Sequence, residues 1–250
     1  LLEELSPYYP LLEQLFGRDP MHLQREHPMP HPSHIPDHST DQPHLLQGQY
    51  LCYTGVPELN KPLVLDWTPG SFKARRVLDL WVDHLFLQST VPDEAPGDTP
   101  RDVHLCALAK QAEAKTPAPA LFYFDPLEPA VAQDYLSQLI QHYNQGQYLP
   151  LAFVPETSRE FFKVYEKTAD LYQAEKAARK TWEPDRSSQI PSESQDAAFA
   201  HCLDEEWFTT PEAHETALNI WGPIERHLKH CLLKALVPEG SFALLESAHV

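Results

Sequence analysis

The chain is poor in the residues that several common functional sites require. Its 250 residues include only 8 glycines, and they form no phosphate-cradling loop, no dinucleotide fingerprint and no nucleophile elbow. The 4 cysteines are widely spaced and make no Cys-x-x-Cys pair, which argues against a zinc site and a disulfide framework. We therefore predict no cofactor and no metal ion in this domain, and no nucleotide hydrolysis of its own.

Positive charge is also scarce. The chain has 19 Lys+Arg against 36 Asp+Glu, a formal net charge of −17. Because phosphate backbones are held by Lys and Arg, such a chain is predicted to bind DNA poorly by itself. The basic cluster Lys73, Arg75 and Arg76 supplies the candidate DNA-binding residues, although Arg75 and Arg76 could instead form helical ion pairs with Asp79.

Long apolar runs are missing too, since no stretch approaches the ~20 residues that a membrane span needs. We therefore predict no membrane partner. Unpaired thiols suit a reducing compartment, so a cytoplasmic location is expected.

Proline, in contrast, is abundant at 25 residues. In residues 21–43 the prolines alternate with histidines. If this segment were a helix, the histidine spacing would place them on one face and could build a metal site. Pro28, Pro30, Pro32 and Pro36 exclude a helix there, so no metal site is predicted. We expect residues 1–45 to form a short helical start and an extended, Pro/His-rich connector.

The next hundred residues alternate between strand and helix patterns. Gln49–Tyr53 and Pro62–Trp67 are predicted to form a hairpin, followed by a helix over 71–88 whose apolar face is formed by Val77, Leu78, Trp81 and Leu85. Two further strands, 103–109 and 121–124, precede a helix over 128–144. This order predicts an α/β (α+β) domain over 46–150, with a mixed sheet flanked by helices.

Residues 151–250 are predicted to be a helical extension packed on that domain. Thr157–Glu160 resembles a capping box that opens a helix to Trp182, and Ser192–Gln195 resembles a second one. Thr210-Pro211 is predicted to start a helix that Gly222-Pro223 interrupts and that ends near Leu236.

The hairpin and its following helix resemble the core of PD-(D/E)xK nucleases, without the catalytic residues. Leu51 stands where such enzymes carry the first Asp, Asp66 and Thr68 stand at the acid and the lysine of the second motif, and Val77 stands at the helical glutamine. A lone Asp66 would hold Mg²⁺ and activate water poorly, because the second acid and the lysine that assist these tasks are absent. The resemblance therefore implies a degenerate nuclease-like core with no catalytic residue.

A more specific resemblance covers most of the chain. The segment from Trp67 to Leu85 is similar to the C-terminal part of the RecC family, the gamma chain of exodeoxyribonuclease V (RecBCD). The matching residues are Trp67, Pro69, Gly70, Lys73, Ala74, Arg75, Leu78, Leu80, Trp81, Asp83, His84 and Leu85. Glu26–Pro30, Phe124–Leu127, Tyr143–Gly146 and Leu149–Leu151 resemble further passages of that family in the same order, and Ala174–Trp182 and Asp204–His227 resemble its closing helices. The resemblance therefore runs from about Leu23 to Leu228.

This resemblance implies a non-catalytic domain in a bacterial helicase–nuclease that processes double-strand DNA ends for recombinational repair. The implied partners are RecB-like and RecD-like subunits, with DNA bound in the context of the complex. Two other hypotheses stay open: an active PD-(D/E)xK nuclease that uses Glu58, Asp66 and Lys73, and an acidic adaptor with no role in nucleic-acid processing.

Overall fold

The computed structural model describes residues 21–28, 45–53, 63–89, 104–111, 118–183 and 191–232. The side chains of residues 21–28, 45–53, 63, 65–70, 104, 106, 108–111, 118–119 and 231–232 are outside this description. The chain divides into two compact units. Unit 1 comprises Leu1–Phe72, Asp79–Ser137 and Leu228–Val250, and unit 2 comprises Lys73–Leu78 and Gln138–His227.

Strands and helices alternate in the first half of the chain, and helices dominate the second. In chain order the described elements are β1 (Met21–Pro28), β2 (Leu45–Tyr53), β3 (Leu63–Ser71), α1 (Ala74–Ser89), β4 (His104–Gln111), β5 (Ala118–Phe124), α2 (Pro129–Gly146), α3 (Pro155–Thr168), α4 (Leu171–Trp182), α5 (Ala197–Cys202), α6 (Pro211–His227) and β6 (Leu228–Leu232). Short 3₁₀ turns cover Glu193–Gln195 and Trp207–Thr209.

The strands form one six-stranded sheet in the order β1-β2-β3-β4-β5-β6. β3 and β4 are parallel, and the other neighbouring pairs are antiparallel. The predicted hairpin is confirmed, because Cys52 pairs with Val64 and Tyr53 with Leu63. A parallel pair needs a long connection, and α1 supplies it between β3 and β4. The α+β class with a mixed sheet is therefore confirmed.

The first residues of the predicted connector belong to the sheet. Met21–Pro28 forms β1 and pairs along its whole length with Leu45–Cys52. An extended, proline-containing segment can join a sheet at its edge, where a missing N–H does little harm, and β1 lies at one end of the strand order. The division into residues 1–45, 46–150 and 151–250 stays a prediction.

The core of unit 1 is built around α1 and β5. Trp81 is only 1% exposed, and its ring lies 4.8 Å from that of Phe124 in an edge-on contact and 5.9 Å from that of Tyr135. His84 stacks on Trp81 at 5.7 Å. The predicted helical phase is confirmed for Val77, Trp81 and Leu85, which are buried, whereas Leu78 is only half-buried.

The core of unit 2 contains aromatic side chains from its helices and from the 3₁₀ turn Trp207–Thr209. Trp182, Trp207, Phe208 and Phe161 pack with Val154 and with small alanines of α4 and α6. Trp182 meets Trp207 edge-on at 5.7 Å. These aromatic residues therefore belong to the core.

One long helix over 157–182 was expected, and the structure contains two. Ala169 takes the left-handed conformation at φ 51°, and its N–H still bonds to the Tyr165 carbonyl. Asp170 then accepts a hydrogen bond from the Gln173 N–H and caps α4. A carboxylate at the N-cap stabilises a new helix start, which makes the corner at residues 169–170 favourable.

Other predicted helix ends also differ. The predicted capping box at Thr157–Glu160 is wrong, because α3 begins at Pro155 with Val154 as its N-cap. The box at Ser192–Gln195 is present, and it opens a 3₁₀ turn. α6 begins at Pro211 as predicted, with the Thr210 hydroxyl accepting from the Ala213 N–H. It then runs through Pro223 without interruption.

Strand β6 was not predicted. Residues 228–232 were expected to lie within a helix that ends near Leu236, and they instead pair with Ala120–Phe124 of β5. Pairing with β5 fixes this strand, and a local apolar pattern does not reveal such a tertiary contact.

Candidate functional site

The four residues predicted to stand at degenerate nuclease positions lie on β2, β3 and α1. Leu51, Asp66 and Thr68 have described strand backbones, whereas their side chains lie outside the described residues. Val77 on α1 is 0% exposed. The position predicted to correspond to the helical glutamine of those nucleases therefore holds a buried apolar side chain.

Strand β3 ends later than the predicted strand Pro62–Trp67. β3 continues to Ser71, and its register with β4 shifts between Trp67 and Ser71. Proline cannot donate a ladder hydrogen bond, so it is tolerated where a strand bulges. Asp66, opposite Ala107, consequently lies inside the strand instead of at its end.

The predicted DNA-binding residues lie at the start of α1. Lys73 and Arg75 are exposed and Arg76 is half-buried. Lys73 and Arg75 line a cavity of about 640 Å³ in unit 2, and its other walls include Glu156, Glu193 and Asp196. The two cations thus share their surroundings with three acids, which lowers the attraction of this site for a phosphate backbone.

Two glutamates in this cavity cap helix starts. A Glu156 carboxylate oxygen accepts a hydrogen bond of 2.7 Å from the Ala74 N–H, the first residue of α1. The Glu193 carboxylate accepts from the Glu156 N–H at 2.9 Å, and from the Thr157 N–H and hydroxyl at 2.8 Å each. Each carboxylate therefore satisfies backbone donors that a helix start leaves open, where negative charge is favoured.

Burial and the nearby Glu193 change the pKa of Glu156. Burial raises the pKa of the Glu156 carboxyl, the hydrogen bond from Ala74 lowers it, and the charge of Glu193 raises it again, with raising effects prevailing. Lys73 and Arg159 favour the ionised form. The cavity therefore holds a carboxyl group that accepts a proton more readily than a free glutamate does.

Neither glutamate was predicted as a functional residue. Glu193 lies inside the predicted Ser192–Gln195 box, which signals a helix start but not the contact with α3, 36 residues away in sequence. Glu156 follows Pro155 in the first turn of α3, a position where acids are common. These local signals indicate caps, and only the fold shows which helices they join.

A second surface lies at the end of α2, where large apolar side chains are exposed. Tyr143, Tyr148 and Leu149 are 65%, 78% and 73% exposed. We call these three residues the α2-end patch. Exposure of large apolar surface to water is unfavourable. Three such side chains exposed within seven residues therefore indicate a contact surface.

The described residues contain neither a metal-binding cluster nor a helix suited to a membrane. Among the described residues, no group of three or more His, Cys, Asp and Glu side chains is arranged to hold a metal ion. None of the helices in the described part of the chain is long and apolar enough to cross a membrane.

Comparison with known protein families gives a match over much of the chain. Residues 4–166, more than half of the chain, match the model described as the RecC C-terminal domain. A comparison with curated proteins gives no significant match. The family match confirms the resemblance on which the sequence interpretation rests.

Proposed function

This chain belongs to the RecC C-terminal domain family, and we propose that it is a non-catalytic domain that docks partner subunits and shapes the DNA strand path in a RecBCD-type complex. Family membership supports a place in such a complex and is the observation that carries this proposal. The partners would be RecB-like and RecD-like subunits.

The α2-end patch is the surface that fits docking best. Tyr143 and Leu149 belong to passages that resemble the family, yet neither is needed for the core, because both are more than half exposed. Tyrosine is enriched at protein interfaces, where its ring is buried and its hydroxyl finds a partner. A buried role in the assembled complex explains why these residues are exposed in the chain by itself.

Charge supports the same role. A net charge of −17 repels DNA at long range and attracts basic surfaces of partner proteins. Complementary charge speeds association and fixes orientation, and it makes the association weaker as salt rises. The strand path would then be shaped by the assembled complex, with a modest contribution from this domain.

The proposal includes a degenerate nuclease-like core. It is supported by the β2–β3 hairpin, the helix α1 after it, and the return to β4 parallel to β3. Fully buried Val77 at the helical motif position is in keeping with a core that has lost its catalytic side chains. The cofactor-free, cytoplasmic domain predicted from the sequence stays part of this proposal.

The test is association with purified RecB-type and RecD-type chains, measured by pull-down with the wild-type chain and a Tyr148→Ala/Leu149→Ala double variant. We expect the double variant to bind at least ten-fold more weakly, since interface tyrosines often contribute 2 kcal/mol or more, about a 30-fold effect. Val82→Ala is the matched control, because Val82 is an exposed apolar residue (44%) of α1. Equal binding by all three chains would exclude the α2-end patch as the docking surface.

A further inference from the structure

Helix α4 presents two opposite faces. Ala174, Ala178 and Trp182 recur every four residues and are buried in the core of unit 2. Tyr172, Lys176 and Lys180 have the same spacing but are displaced by two residues, about 200° around a helix of 3.6 residues per turn. They are exposed, Tyr172 at 74%. We call these three residues the α4 stripe.

The charges of the α4 stripe are available to a ligand. In the part of the chain that the structure describes, Lys176 and Lys180 make no ion pair, whereas the neighbouring Arg179 is held 2.9 Å from Glu206 and 3.5 Å from Glu183. The acid of this helix, Glu175, lies 3.4 Å from His214 and is only 26% exposed. The outer face of α4 is therefore basic.

This basic face contrasts with the rest of the molecule. The whole chain carries a net charge of −17, while α4 carries Lys176, Arg179 and Lys180 against the single acid Glu175. It also differs from the cluster Lys73 and Arg75, which shares its cavity with three acids. The α4 stripe lies beyond residue 166, where the family match ends.

We infer that the α4 stripe binds single-stranded nucleic acid. Lys176 and Lys180 lie one helical turn apart, so both can meet phosphates of one strand, and Tyr172 continues the same line with an exposed ring on which a base can stack. Stacking tolerates every base, so this contact would be independent of sequence. The inference rests on the proposed function, because it gives this domain a contact of its own with a separated strand.

An acidic protein segment would also be attracted by the two lysines, but it would make no use of the exposed aromatic ring. Duplex DNA hides its bases from a ring on a helix surface, whereas a single strand presents them. The combination of two lysines with Tyr172 therefore favours a single strand over either alternative.

The experiment measures binding of the 250-residue chain to a fluorescein-labelled thymidine 20-mer by anisotropy, at several salt concentrations from about 20 mM upward. We expect weak binding at low salt that is lost as salt rises. Lys176→Gln/Lys180→Gln should lower the slope of log K against log salt by about 0.7 per lysine. Tyr172→Ala should weaken binding about five-fold or more, and Tyr172→Phe should restore it, because the ring is kept.

Lys229→Gln is the matched lysine control, since the Lys229 side chain is 43% exposed and its ammonium lies 3.0 Å from the Asp125 carboxylate in unit 1. Absence of binding at the lowest salt, or equal weakening by Lys229→Gln and by the double variant, would overturn the inference. Displacement of the strand by polyglutamate with no effect of Tyr172→Ala would overturn it in favour of an acidic protein partner. The same variants should bind RecB-type and RecD-type chains normally, so failure here is distinguishable from failure of the docking proposal.

Discussion

Replacement of Trp81 by alanine tests the core of unit 1. Trp81 is one of the largest fully buried side chains, at 1% exposure, and it contacts Phe124, Tyr135 and His84. An aromatic side chain of this kind buries about 200 Å², which at about 25 cal/mol per Å² corresponds to about 5 kcal/mol. Alanine keeps a small part of that area, and the cavity relaxes incompletely. We expect the free energy of unfolding to fall by about 3–5 kcal/mol.

The assay is urea unfolding followed by far-UV circular dichroism. The midpoint should fall while the slope against denaturant stays constant, because the surface exposed on unfolding hardly changes. Tyr148→Ala is the control, since Tyr148 is 78% exposed and its loss should change stability by less than about 0.5 kcal/mol. A loss below about 1 kcal/mol for Trp81→Ala would refute the core packing described for α1 and β5.

Two further predictions concern acids. The chain alone should not cut linear DNA with Mg²⁺ or Mn²⁺, because the position predicted to carry the helical motif residue is the buried apolar Val77. Metal-dependent cutting that Asp66→Ala abolishes would instead support the hypothesis of an active nuclease. For Glu156, whose pKa is raised by burial, the folded chain holds the proton more tightly than the unfolded chain. The stabilisation that comes from the protonated Glu156 carboxyl is therefore full below its ordinary pKa of 4.5. This stabilisation is lost as the pH rises through the raised pKa of the folded chain. Glu156→Gln should remove this loss in urea titrations at several pH values, and an unchanged pH dependence would contradict the assigned burial.

The elements that the sequence predicted well are those with a clear local pattern. The hairpin of β2 and β3 has two apolar runs around a turn, and α1 and α2 repeat apolar residues at helical spacing. Burial of the apolar face is enough to specify such elements. Trp81 was placed correctly for the same reason.

The elements that were missed depend on contacts distant in sequence. β6 is a strand because Leu228–Leu232 pairs with β5, about a hundred residues earlier. Glu193 caps α3 from 36 residues away, and no local rule pairs those two segments. The corner at Ala169 was missed because the left-handed residue is alanine, whereas glycine is the usual signal.

The candidate surfaces were predicted only in part. Lys73 and Arg75 were proposed from their local charge, but Glu156 and Glu193, which lie far from them in sequence, share their cavity. The α2-end patch and the α4 stripe became visible only through exposure, because aromatic residues in a helical pattern usually belong to the core. Exposure separates Tyr172 from Trp182, and the sequence alone does not.

Sedimentation velocity of the chain mixed with RecB-type and RecD-type chains tests the docking role most directly, with salt varied from low to high concentration. We predict a complex at low and physiological salt that weakens as salt rises, because the net charge of −17 meets basic surfaces on the partners. No association with either chain, together with tight DNA binding by this chain alone at physiological salt, would contradict the docking role.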